Sequence, residues 1–176
     1  ILMKALIFEK FGGPDVLHYQ EIDSPQMGPD EVLLEMKAIG LNFADVYRRK
    51  GNYHLAGDPP YICGYEGAGV VKNVGANVNG IDVGDHIAFA DVPYANAELV
   101  AVPKEKAIPL PDDISYETAA SLLLQGLTAH YLTKDSYSIK SGDTVLVHAA
   151  AGGVGPLLVQ IIKILGGNVI GLTSSD

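Results

Sequence analysis

Residues 144–172 constrain the fold more than any other stretch of the chain, because a strand, a turn, a helix and a second strand can be read there without a break. Thr144 to His148 is a short apolar run rich in β-branched residues, and Lys140-Ser141-Gly142-Asp143 before it is a turn signal. The run reads as a strand buried on both faces, as in a parallel sheet. Leu157, Leu158, Ile161, Ile162 and Leu165 then recur at helical spacing. Gly166-Gly167-Asn168 stops that helix, and Val169 to Leu172 is a second buried strand. Together they make one βαβ unit of about 30 residues.

The turn inside this unit carries the chemistry. Ala150-x-Gly152-x-x-Gly155, with Gly153 and Val154 in between, fits the dinucleotide fingerprint with Ala in place of the first Gly. Gly152 would let a pyrophosphate approach the backbone, and Gly155 would let the helix pack close to the strand. The free N–H groups and positive end of the new helix would hold the phosphates. Pro156 falls in the first turn, where a missing N–H costs nothing. A glycine-rich turn without a ligand is the alternative, but this turn follows a strand and opens a helix, as the fingerprint requires. NAD-binding folds place Asp or Glu at the end of the second strand, ~20 residues on, to hold the ribose 2′-OH. Thr173-Ser174-Ser175 stands there instead, with Asp176 only beyond it. Hydroxyls can donate to a 2′-phosphate, so NADPH is expected in preference to NADH.

The rest of the chain reads differently. Short strands are expected at Lys4–Phe8, Leu17–Ile22, 31–39, 67–75, 86–90, 97–102 and 106–110, separated by Gly- and Pro-rich turns. Val32, Leu34, Met36 and Ala38 alternate along the third of these, and the glycines of the fourth imply close backbone approaches. A short helix follows Asn42 and ends at Gly51-Asn52, before a loop over 54–64. So about the first 110 residues form a compact barrel or sandwich. Ser115 is a candidate N-cap with Glu117 in the first turn of a helix through Leu124, and Leu127–Leu132 is a second helical stretch. The domain boundary is expected near 120–126, giving a β-rich domain over 3–123 and a dinucleotide-binding part over 124–176.

The chain has 176 residues and net charge −9, which argues against a nucleic-acid or anionic-membrane partner. Cys63 is the one cysteine, so no disulfide framework or Cys-rich zinc site is available. The five histidines show no paired spacing, and no metal role is expected of them. No apolar stretch reaches ~18 uncharged residues and no leader pattern opens the chain, so the expected location is the cytoplasm.

Specific motifs add a family. Met3-Lys4-Ala5, Gly12-Gly13-Pro14, Asn42-Phe43-Ala44-Asp45-Val46-Tyr47, Gly64-Tyr65-Glu66-Gly67-Ala68-Gly69, Gly84-Asp85-His86-Ile87 and His148 to Gly155, in that order, resemble the zinc-independent quinone oxidoreductases, the ζ-crystallin-like branch of the medium-chain dehydrogenases/reductases. The resemblance implies an α/β chain with a β-rich domain: a GroES-like β-barrel domain followed by the first βαβ of a Rossmann doubly wound parallel sheet. It further implies NADPH, a quinone or enone substrate or another activated carbonyl, and a homodimer at full length. Zinc-dependent relatives carry Cys, His and Cys ligands where Asn42, Tyr65 and Leu124 stand here, so no zinc site is expected.

Without a metal, the protein must hold the acceptor beside the nicotinamide and stabilise the developing oxyanion. Asn42 is the first candidate to contact both substrate and cofactor, with helix capping through Asp45 as a compatible second role. Tyr47 and Tyr53 flank the short helix; either phenol can donate to a carbonyl, and either can instead pack at the cleft wall. Tyr53 also resembles the proton donor of enoyl-thioester reductases, which keeps 2-enoyl reduction as the alternative activity. Gln125 and Thr128 match positions lining the nicotinamide pocket. Tyr65 is expected to pack, Glu66 to be structural and Cys63 to be a small buried residue. A non-catalytic NADPH-binding protein is the reading of a different class. The chain stops just after the second strand of its βαβ unit, and a fragment of a longer protein is expected.

Overall fold

The computed structural model describes residues 2–174. The chain divides into two compact units, Ile1–Leu123 and Leu124–Asp176.

The first unit is built on antiparallel strands: β1 (Leu2–Phe8), β2 (His18–Asp23), β3 (Glu31–Ile39), β4 (Tyr61–Ile62), β5 (Glu66–Val74), β6 (His86–Ala90), β7 (Leu99–Pro103) and β8 (Ile108–Pro109). One sheet has the order β2-β1-β4 and the other β7-β3-β5-β6-β8. A bridge between Ala5 and Ala97 joins β1 to the segment before β7, reinforced by Leu6 N–H donating to the Asn96 carbonyl at 2.8 Å. Alternation decides which side chains are inside. Met3, Ala5 and Ile7 of β1 are buried with Ala97, while Leu2 and Lys4 face out. The larger core gathers Val32 and Leu34, Val71, Ile87 and Phe89, and Val100 and Val102 from four neighbouring strands. Each such side chain contributes about 1.5–3 kcal/mol on full burial.

Strand β3 falls where its alternation put it, and β6 spans the residues expected of it. The glycines of β5 make the close approaches expected of them: a Cβ at Gly69 would meet the Glu35 carbonyl, and one at Gly67 the Met36 and Ala38 atoms of β3. The β3–β5 register shifts at Leu33/Leu34 and Met36/Ala38, so small residues sit opposite an irregular strand. The strand expected from Ala97 begins at Leu99, because the preceding residues pair with β1 instead.

Helix α1 (Phe43–Arg49) follows β3, and α2 (Tyr116–Tyr131) follows β8. Ser115 caps α2, its Oγ accepting the Thr118 N–H at 3.1 Å. The two helical stretches expected over 115–132 are one helix. Gly126 is its only breaker, and a glycine costs about 1 kcal/mol in a helix interior. The surrounding Leu122, Leu123, Leu124, Gln125 and Leu127 are good helix formers and outweigh it.

In the second unit, β9 (Thr144–Val147), α3 (Gly155–Ile164) and β10 (Asn168–Gly171) form a βαβ unit with parallel strands in register Thr144↔Asn168 to Val147↔Gly171. Gly166, at φ +84°, ends the helix with a left-handed residue. Val147 is buried and Val145 half-buried, whereas Thr144 and Leu146 are exposed. Among the described residues β9 pairs with β10 alone and α3 lies against it, so one face of the strand is covered.

Candidate active site

Two groups of candidate residues lie one in each unit. In the first unit, Asn42 precedes α1 with extended backbone and caps it. Its N–H donates to Asp45 Oδ2 at 3.0 Å, and its carbonyl accepts the Asp45 N–H at 2.9 Å. Its side-chain Nδ2 donates to Glu66 Oε2 at 2.8 Å. Glu66 is fully buried, so this carboxylate is held by the protein interior and fixes which way the Asn42 amide turns. Gly40 makes room for the arrangement: a Cβ there would strike both Glu66 Oε2 and the Ala120 carbonyl. Glu66 is therefore a support for Asn42.

Tyr47 stands in the last turn of α1 and Tyr53 in the loop after it, 48% and 56% exposed, so both phenols can be reached. Tyr47 tilts against Phe43 at 6.4 Å between centroids. Tyr53 lies against the Arg48 guanidinium, 5.1 Å from its ring centroid. Tyr65 does pack, as expected, at 4% exposure, but its hydroxyl accepts the Ala56 N–H at 3.0 Å and its ring carries Arg48 at 3.4 Å. Cys63 is half-buried, and burial pushes its thiol up to about 11, with the Asp45 carboxylate adding to the shift and Arg49 opposing it. A cleft of about 540 Å³ lined by Lys4, Tyr19, Met36 and Leu41 holds none of the candidate residues.

In the second unit the turn between β9 and α3 is tight. Ala149 takes a left-handed conformation at φ 50°, and its carbonyl accepts the Gly152 N–H at 2.8 Å. The left-handed residue is thus Ala149, one before the Ala150 that replaces the first glycine of the fingerprint. A Cβ on Gly155 would overlap the carbonyls of Ala149 and Ala150, so only glycine lets α3 start this close to the end of β9. Gly152 and Gly153 are exposed, Val154 and Ala150 half-buried, Pro156 lies in the first turn, and that turn contains no acidic residue. The Leu172 carbonyl accepts the Ala150 N–H at 2.9 Å, which brings the residues after β10 beside the turn. Thr173 and Ser174 follow there, both exposed; Ser175 lies outside the described residues.

The structure also brings Gln125 of α2 to this turn, its Cγ 3.6 Å from where a Gly153 Cβ would stand. The Thr128 hydroxyl donates to the Leu124 carbonyl at 2.8 Å. With its proton so used, Thr128 can offer a ligand only acceptor lone pairs.

Arg48 is the organising residue that sequence reasoning missed. A charged residue on a short helix is ordinarily solvated, and no local pattern marks one that is 7% exposed. The Tyr residues on both sides of it, Tyr47 and Tyr53, were the only signal. Among the described residues, no group of three His, Cys, Asp or Glu side chains is placed to hold a metal ion. No helix of the described residues is long and apolar enough to cross a membrane.

A β-rich unit with a capped short helix, joined in sequence to a strand–glycine turn–helix, is the arrangement of an alcohol-dehydrogenase-type chain. Residues 28–112 match the alcohol dehydrogenase GroES-like domain. The chain is 45% identical to a quinone oxidoreductase of Pseudomonas aeruginosa over 99% of its own length and 54% of that protein's. It superposes on a quinone oxidoreductase from Pseudomonas syringae pv. tomato with a TM-score of 0.95 at 43% identity, covering 98% of this chain and 53% of that one. The match to Escherichia coli quinone oxidoreductase complexed with NADPH has a TM-score of 0.93 at 39% identity, again over 98% and 53%. The chain belongs to the zinc-independent, quinone-oxidoreductase-like branch of the medium-chain dehydrogenase/reductase superfamily. It spans about half the length of the curated relatives it matches.

Proposed function

We propose that the protein is an NADPH-dependent oxidoreductase that delivers hydride to a quinone or another activated alkene or carbonyl without zinc. Residues 3–123 serve as the GroES-like substrate domain and 124–176 as the first βαβ of a Rossmann domain. The observation that carries this reading is the turn 149–155, where Gly155, the position at which a Cβ would strike backbone, lets a helix N-terminus free of acidic side chains start close to the end of β9. A pyrophosphate fits there against Ala150, Gly152, Gly153, Val154 and Gly155. The exposed hydroxyls of Thr173 and Ser174, with Ser175 next in sequence, suit a 2′-phosphate, since no carboxylate replaces them. The relatives named quinone oxidoreductase, one of them in complex with NADPH, support the same assignment.

The bound nicotinamide supplies the hydride. This chain's residues bind and orient. Gln125 and Thr128 flank the nicotinamide side, with Thr128 as an acceptor. Asn42, its amide turned by Glu66, contacts cofactor and acceptor, and the phenols of Tyr47 and Tyr53 donate hydrogen bonds to the acceptor oxygen as negative charge builds on it. Zinc has no place in this scheme, because Asn42, Tyr65 and Leu124 stand where the zinc-dependent branch is expected to carry its ligands.

Thr173→Asp tests the cofactor assignment. A carboxylate facing the 2′-phosphate should weaken NADPH binding about tenfold or more and leave NADH binding unchanged or improved. Titration of both cofactors against the full-length protein measures this; equal NADPH dissociation constants for the two proteins would overturn the 2′-phosphate site.

A further inference from the structure

We propose that Arg48 is a positioning residue for the acceptor site, setting where the Tyr53 phenol stands; the inference rests on Tyr53 binding the acceptor as argued above. The guanidinium is buried, which is unfavourable unless its donors and its charge are matched. They are matched on several sides. Nη1 donates to Asp45 Oδ1 at 3.0 Å, and Nε donates to the carbonyl of His54 at 3.0 Å. One flat group thus reaches back to α1 and forward to the residue after Tyr53. Its carbon lies 3.4 Å over the centre of the Tyr65 ring and 5.1 Å from that of Tyr53.

The connections close on the candidate site. Asp45 spends its other oxygen on the Asn42 N–H. Tyr65, under the guanidinium, takes the Ala56 N–H. The segment 53–56 is therefore tied by Tyr53, His54 and Ala56 to two buried side chains, Arg48 and Tyr65. Through Asp45 the same guanidinium is one step from Asn42. A lysine would keep the charge and could reach Asp45, but a point ammonium cannot also lie flat between these contacts and hold the His54 carbonyl.

The test is a double-mutant cycle in the full-length protein, with wild type, Arg48→Lys, Tyr53→Ala and the double variant assayed against a small benzoquinone. Arg48→Lys should lower kcat/KM about tenfold, mainly through KM, with the NADPH dissociation constant unchanged. On a Tyr53→Ala background the same substitution should cost nothing more, because the ring it positions is gone. Multiplicative losses, or an Arg48→Lys protein with wild-type kcat/KM, would overturn the positioning role while leaving Tyr53 in place. A Tyr53→Ala protein with wild-type kcat/KM would remove Tyr53 from the acceptor site, and the inference with it. If Arg48→Lys does not fold, Arg48→Gln completes the same cycle, since a neutral amide leaves no buried charge and cannot lie flat between the Tyr65 and Tyr53 rings as the guanidinium does.

Discussion

Gly155 has no room for a β-carbon, since the atoms it would meet are the carbonyl groups of Ala149 and Ala150, which cannot rotate away as a side chain could. Gly155→Ala should therefore push α3 off the end of β9, costing about 1–3 kcal/mol of stability. It should also weaken NADPH binding, and chemical denaturation with cofactor titration reads both effects. Cys63 allows a test of burial. Its thiol is raised from an ordinary value of 9.0 to about 11, first by burial. A raised folded-state value means the neutral thiol is the favoured form, so the associated stability is complete below about pH 9 and lost as pH climbs through about 11. Because the thiolate is the nucleophile, iodoacetamide should modify Cys63 slowly at pH 8, with the rate still rising above pH 10. A rate that levels off near pH 9 would show the site to be open. At this scale the sequence was readable where one residue's chemistry is self-contained. The glycine turn and the capping role of Asn42 are of that kind. Glu66 was readable as structural, though not its partner Asn42, 24 residues away; Arg48 was not readable, because its burial depends on how the segment after the helix folds back over it, His54 and Tyr53 included.

Elements were legible in proportion to how local their causes are. Strands β3 and β6 end where turn residues end them, and α2 begins at the hydroxyl that caps it. Ser115→Ala should cost about 1 kcal/mol through the lost bond to the Thr118 N–H. A drop in melting temperature with unchanged NADPH affinity would identify that loss as local to the helix start, whereas no change in stability would mean the cap contributes nothing. The two stretches expected over 115–132 are one helix for an energetic reason: the helix formers on both sides of Gly126 outweigh the cost of one glycine. Apolar residues at Val145, Leu146 and Val147 signal a strand whose coverage depends on neighbouring elements, and among the described residues only β10 and α3 supply it, leaving Leu146 52% exposed.

For the whole molecule, the buried apolar side chains are distributed unevenly. Among the described residues the first unit holds three buried apolar clusters, the largest on β3, β5, β6 and β7, whereas Ala129, Val147 and Ile162 are the buried apolar residues of the second. A β-rich core with alternating strands is what the turn-punctuated first two thirds of the sequence imply. The order of a β-rich unit before a glycine-turn βαβ was likewise legible, because each rests on periodicity and turn chemistry. The pairing of strands into β2-β1-β4 and β7-β3-β5-β6-β8 was not, because it depends on contacts between residues far apart in sequence. The central claim is that NADPH drives reduction of a small acceptor with no metal taking part. Its most direct test is NADPH oxidation by the full-length protein, followed at 340 nm with a panel of quinones and enoyl thioesters, before and after exhaustive chelation and with zinc quantified. The account predicts quinone-dependent oxidation, faster with NADPH than with NADH and unchanged by chelation. Activity that disappears with one tightly held zinc per chain, or no oxidation with any acceptor despite NADPH binding, would contradict it.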